Sequence, residues 1–151
     1  PNLKVNITEV KADKLIKEAV NDLHVDDRYK ELIKVELDDQ LKLEVDETVM
    51  KQIITNLLNN AVYSIRTASK GDITIRSYAT ESKKYIVVED TGIGMSPFET
   101  ESIFEPFNSD KPTGNGIGLA FCRYALRKMN GDIFCSASKG EFTRFTVVLN
   151  R

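Results

Sequence analysis

Between Thr113 and Leu119 the chain reads Thr-Gly-Asn-Gly-Ile-Gly-Leu. Glycine at 114, 116 and 118, interleaved with Asn115 and Ile117, lets backbone N–H groups approach an anion closely and makes positive φ affordable. Leu119, Ala120, Phe121, Cys122, Tyr124, Ala125, Leu126 and Met129 then give a helical apolar pattern that ends at Asn130-Gly131. A glycine loop opening a helix is an anion site by geometry and dipole. The spacing is not the dinucleotide fingerprint, which needs Gly-x-Gly-x-x-Gly straight after a strand; here the polar stretch Asn108 to Thr113 precedes. Nor is it a Walker loop, because Leu119-Ala120 stand where Lys-Ser or Lys-Thr would have to follow.

Two further stretches carry usable chemistry. Glu89-Asp90-Thr91-Gly92-Ile93-Gly94-Met95 sets an acidic residue at a strand end, followed by two glycines that let the backbone turn tightly beside a ligand. In the segment after Asp46, Asn56 and Asn60 are one helical turn apart, with Gln52 and Tyr63 at helical spacing nearby. Two amides therefore point the same way.

The elements that must position these groups follow from periodicity. Residues 3 to 9 predict a short strand, and Ala12, Leu15, Ile16, Ala19, Val20 and Leu23 a first helix. Leu32 to Leu37 and Leu41 to Val45 each alternate around Asp38-Asp39-Gln40 and predict a hairpin with one face buried. Asp46 is a candidate N-cap for a second helix whose apolar side is Met50, Ile54, Leu57, Leu58, Ala61 and Ile65. Ile73 to Tyr78 and Tyr85 to Val88 predict paired strands, the second running into Asp90. Ser96-Pro97-Phe98-Glu99 reads as a capping box with proline at the first helical position, opening a short helix that carries Ile103 and Phe104 inward before Glu105-Pro106-Phe107 stops it. Asp132 to Ala137 and Phe142 to Leu149 predict a final hairpin turned at Ser138-Lys139-Gly140.

Composition narrows the function. The 151 residues point to one domain, residues 1–151, with a real core. The 21 basic and 23 acidic residues are mixed along the chain, without the basic stripe that nucleic acid would require. No apolar run reaches the length of a membrane span, so this stretch is expected not to insert in a membrane. Cys122 and Cys135 have no metal-ligand spacing and read as small hydrophobes of a reducing compartment. His24, the only histidine, sits in a polar stretch beside Asp26 and Asp27 and is given no role. The start at Pro1-Asn2, without methionine, gives the expectation of a piece of a longer protein.

Four blocks stand in a fixed order: Asn56-Leu-Leu-Asn-Asn60-Ala61, Asp90-Thr-Gly-Ile-Gly94, Phe104-Glu-Pro-Phe107 and Gly114-Asn-Gly-Ile-Gly118-Leu119. In order and spacing they resemble the N, G1, F and G2 boxes of the catalytic, ATP-binding domain of sensor histidine kinases, within the wider group of gyrase B, MutL and a heat-shock chaperone ATPase. The resemblance spans nearly the whole chain. It implies the Bergerat fold: an α/β two-layer sandwich whose mixed, mostly antiparallel sheet of about five strands carries three longer helices on one face.

The resemblance also implies ATP and Mg²⁺ as ligands. Asp90 would accept from the exocyclic amine of adenine and reject guanine, which presents a carbonyl at that edge. Asn60 is similar to the family's magnesium ligand, and Asn56 to its partner near the phosphates. Catalytic roles would fall to Asn60, Asn56 and Lys111, the last a point charge toward the phosphates. Tyr63, Gly92, Gly94, Met95, Phe104, Phe107 and Thr113 through Leu119 complete the implied nucleotide site. The family pattern implied by the resemblance often has an aromatic residue four positions after the Asn60 equivalent to pack on adenine; here Ser64 stands there with Tyr63 beside it, which leaves open which side chain lines the adenine. The implied activity is transfer of the ATP γ-phosphoryl group to a histidine on an upstream dimerisation domain, absent here because the surroundings of His24 do not resemble an H box. Implied partners are that domain in a homodimeric parent and the receiver domain of a response regulator. The domain is expected in the cytoplasm, with the parent's membrane anchoring left open. A gyrase-like hydrolase needs a glutamate where Asn56 stands, and no Asp or Glu occurs from Thr48 to Arg66. A nucleotide-sensing module or a serine kinase of the anti-sigma type is the alternative.

Overall fold

The computed structural model describes residues 2–106 and 118–151. Among these the chain runs β1 (Thr8–Lys11), α1 (Ala12–Asn21), α2 (Asp27–Lys30), β2 (Ile33–Leu37), β3 (Lys42–Val45), α3 (Glu47–Ala68), β4 (Ile73–Ala79), β5 (Lys83–Asp90), α4 (Pro97–Ser102), α5 (Gly118–Lys128), β6 (Gly131–Ser138) and β7 (Phe142–Asn150).

The central helix α3 starts where its first turn finds an acceptor. Asp46 Oδ1 takes the Val49 N–H at 3.1 Å, and Oδ2 takes the Asn6 N–H at 2.9 Å from outside the helix. These backbone donors, Asn6 first and then Val49, hold the Asp46 carboxyl below its ordinary range. Apolar residues at helical spacing bury Met50, Ile53, Ile54, Leu57, Leu58, Ala61 and Ile65. Each such large side chain contributes about 1.5–3 kcal/mol on leaving water, so packing rather than propensity fixes the helix. Ser69, in the left-handed region at φ 55°, ends it.

The main sheet has the order β2-β4-β5-β7-β6; β2 joins β4 in parallel and the other pairs are antiparallel. Its helix-facing side is set by register: Ile75, Val88 and Phe145 lie abreast, as do Ser77, Ile86, Val147 and Ile133, and all are buried. Helix α3 lies across β5, with α1 and α5 on its flanks. The opposite face carries the stacked pair Tyr78 and Tyr85, ring centroids 4.8 Å apart, and a charge ladder from Glu36 through Arg76 and Glu89 to Arg144. The expected two-layer sandwich, a mostly antiparallel five-stranded sheet with helices on one face, is the observed architecture.

The expected hairpin of β2 with β3 does not form. β2 pairs with β4, while β3 pairs antiparallel with β1 in a separate two-stranded sheet. The turn at Asp38 is present: the Asp38 side chain accepts from Gln40 N–H, and its carbonyl accepts from Leu41 N–H. Asp38 N–H, however, is tied to the Ser77 carbonyl of β4 at 3.2 Å, and the Leu41 carbonyl accepts from Ala12 at the start of α1. The chain therefore leaves one sheet and enters another at this turn. The first strand is also displaced, to Thr8–Lys11, with Leu3 and Val5 packed against the core ahead of it.

Candidate functional site

The site is built where α3, the end of β5 and the β6–β7 turn meet. Asp90 is the last residue of β5 and is 4% exposed. Its Oδ1 accepts from Ser64 Oγ at 2.6 Å and from Gly92 N–H at 2.9 Å. Ser64 Oγ in turn accepts from Ile93 N–H at 2.9 Å. One helix hydroxyl thus holds both the carboxylate and the turn after it.

The two glycines expected in this turn are required for different reasons. At Gly92 a Cβ would lie 2.6 Å from the Ser64 carbonyl carbon, so the turn sits directly on the helix backbone. Gly94 has φ +65°, and a Cβ there would strike the Ser138 carbonyl. Ile93 presents its carbonyl to Gly140 N–H at 2.7 Å, which bolts the turn to the β6–β7 hairpin. The helix that follows opens as expected: Ser96 and Glu99 form the reciprocal capping box, with Pro97 in the first turn.

Asn56, Asn60 and Ser64 stand at successive turns of α3, so they form a line along its surface rising about 6 Å per step. Asn60 Nδ2 donates to Asn56 Oδ1 at 3.4 Å, and both residues are half-buried. The line ends on Asp90 through Ser64. The helix can therefore present two amides and a buried carboxylate to one extended ligand. Tyr63 and Met95 are half-buried, and Met95 packs against the core. Phe104 meets Phe145 edge-on at 6.2 Å, while the Arg123 guanidinium lies 4.0 Å over its ring. Arg123 is itself fixed by Asp132 at 3.2 Å and the Ile133 carbonyl at 2.6 Å. Gly118 opens α5 and Leu119 is buried in the core. Phe107, Lys111, Thr113, Gly114, Asn115, Gly116 and Ile117 lie outside the described residues.

Thr143 is a buried polar residue that sequence reading passed over. It is the β7 partner of Asp90 in register and 5% exposed, so it shares the carboxylate's face. It hides in an alternating strand pattern, where a threonine reads as a strand former. Ser64 was noted only as the wrong residue for an aromatic; its spacing of four from Asn60 was the available signal.

Residues 45–151 match the sequence model of the histidine kinase-, DNA gyrase B-, and HSP90-like ATPase family. The chain belongs to that family. It is 34% identical over 116 residues to the signal transduction histidine-protein kinase AtoS of Escherichia coli, an alignment covering 76% of this chain and 19% of AtoS. It is 32% identical over 124 residues to the sensor histidine kinase GacS of Pseudomonas protegens, covering 75% and 13% of the two chains. The chain therefore spans less than a fifth of these curated relatives, at 19% and 13%. The catalytic domain of histidine kinase ThkA superposes with a TM-score of 0.81 at 26% identity, covering 97% of this chain and 96% of that one. The relatives are sensor histidine kinases, and the fold is that of a histidine kinase catalytic domain.

The site fits the ligands that such an ATPase family implies. A buried acceptor at a strand end suits a base amine, and Asn60 offers a neutral oxygen of the kind Mg²⁺ takes. Among the described residues no three His, Cys, Asp or Glu converge on one point. A cation beside Asn60 would then complete its shell with phosphate oxygens and water.

Proposed function

We propose that this chain is the ATP-binding catalytic domain of a two-component sensor histidine kinase, which positions the γ-phosphoryl group of ATP for transfer to a histidine on the helices of its own dimerisation domain. The observation that carries the reading is the buried Asp90, oriented by Ser64 and Gly92 at the end of a line that runs through Asn60 to Asn56.

On this reading Asp90 accepts the 6-amino group of adenine, and the base lies against the turn of Gly92, Gly94 and Met95, with Tyr63 on the helix beside it. The polyphosphate runs along α3, so Asn56 and Asn60 orient it and Asn60 holds Mg²⁺. Bound Mg²⁺ supplies neutralisation of phosphate charge. Phe104 and Phe107 are assigned to the nucleotide site, Lys111 to the charge on the phosphates, and the amides from Thr113 to Leu119 to phosphate binding. Phosphoryl transfer asks mainly for in-line positioning and charge stabilisation, which this set of groups supplies. Helix α3 has no carboxylate between Thr48 and Arg66 to activate water, so hydrolysis is disfavoured against transfer. The partners are the histidine-bearing helices of a homodimeric parent and the receiver domain of a response regulator, and the domain works in the cytoplasm, where ATP is.

Calorimetric titration with ADP and GDP in Mg²⁺ tests the reading. ADP should bind and GDP should bind at least about tenfold more weakly, and Asp90→Asn should weaken ADP by about tenfold or more, the cost of turning a buried acceptor into a donor. A wild-type chain that binds neither nucleotide refutes it.

A further inference from the structure

Ser64 makes two contacts whose polarities fix each other. Ile93 N–H can only donate, so Ser64 Oγ accepts at 2.9 Å, and its single proton is directed to Asp90 Oδ1 at 2.6 Å. Gly92 N–H brings a second donor to the same oxygen at 2.9 Å. An oxygen taking two donors is an acceptor, and two donors fix the rotation of the carboxylate about its Cβ–Cγ bond. Ser64 is 5% exposed and Asp90 4%, so bulk solvent has little access to this pair.

Resting on the nucleotide reading above, we propose that Ser64 is the positioning residue that sets base selectivity: its hydroxyl holds Asp90 as a rotationally fixed acceptor, and so selects purines with an amino group at position 6 over those with a carbonyl. Small size is part of the role. The Gly92 turn packs directly on the Ser64 backbone, so the hydroxyl reaches Asp90 and Ile93 together from beneath the turn.

The test compares ADP with IDP, which carries a carbonyl in place of the 6-amino group and a proton on N1, by calorimetry in Mg²⁺. The chains are wild type, Ser64→Ala and Ser64→Cys; cysteine keeps the volume but is a weak donor. Thermal melts report folding of each variant. ADP affinity should fall by about tenfold in both variants while IDP affinity stays within about twofold, so the ADP-to-IDP ratio narrows by about tenfold. A merely structural serine would weaken the two nucleotides in parallel. Either folded variant keeping the wild-type ratio overturns the role of Ser64 and leaves the nucleotide site standing. If Ser64→Ala does not fold, the near-isosteric Ser64→Cys decides alone. Wild type binding neither nucleotide overturns both this role and the reading beneath it.

Discussion

Replacing Gly92 by alanine should separate α3 from the turn after β5. The added Cβ would stand 2.6 Å from the Ser64 carbonyl carbon and 2.7 Å from its oxygen, with Ser64 Oγ nearer still. Carbon atoms need about 3.5 Å, so turn and helix must part by about 0.9 Å. That movement stretches Ser64 Oγ to Asp90 Oδ1 from 2.6 Å and Ile93 N–H to Ser64 Oγ from 2.9 Å, and both bonds weaken steeply. Overpacking costs roughly 1–3 kcal/mol, and the two bonds add about 1 kcal/mol for the neutral one and about 2 for the charged one. The sum is about 4–6 kcal/mol. For a chain of this size it lowers Tm by at least about 8 °C. Calorimetric melting of Gly92→Ala measures it. The double variant Gly92→Ala/Ser64→Gly removes the Oγ clash and leaves the backbone clash, so it should not recover the loss. A Tm within about 2 °C of wild type for Gly92→Ala, or full recovery in the double variant, refutes the reasoning.

Asp46→Ala removes the α3 cap and should cost about 1–2 kcal/mol, read as a lower urea midpoint at unchanged slope. Because the folded Asp46 carboxyl titrates below its unfolded value, its contribution is complete above about pH 4 and is lost as pH falls through the folded value. Wild type should therefore lose stability more steeply than the variant below that pH, and parallel curves would contradict this. Burial pushes the Cys122 thiol up to about 12, so at pH 8 Cys122 should resist iodoacetamide in the native chain and react only in denaturant; native labelling at the rate of a model thiol would contradict its burial.

What could be read from residues alone divides along a physical line. Features fixed by neighbours in sequence were legible: the Asp46 and Ser96 caps, the buried stripe of α3, the turn at Ser138 to Gly140, and the alignment of Asn56 with Asn60. Features fixed by distant partners were not. The Asp38 turn announces that the chain reverses, but a bond to Ser77 on β4 decides that β2 and β3 go to different sheets. Ser64 shows the same limit at the site, since a serine on a helix has many uses until Asp90 and Ile93 are seen beside it. Gly92 was legible as a glycine the turn needs, while the reason, contact with the Ser64 backbone, belongs to packing.

The Asp46 carboxylate also shapes how the domain responds to mechanical load. Thr8, at the start of β1, lies opposite Val45, at the end of β3, and Asn6 is tied to Asp46 at 2.9 Å. A force that lifts the residues before Thr8 away from β3 first meets the Leu3 N–H bond to Tyr124 Oη at 3.4 Å, then the Asn6 bond to Asp46, and then this ladder at its end, so its bonds open singly, as in a zipper. The same carboxylate pins the first turn of α3, and Asn56 lies only about 15 Å further along that stiff rod. Tension on the chain ahead of β1 is thus delivered at the root of the helix that carries Asn56, Asn60 and Ser64, before any strand of the main sheet bears it.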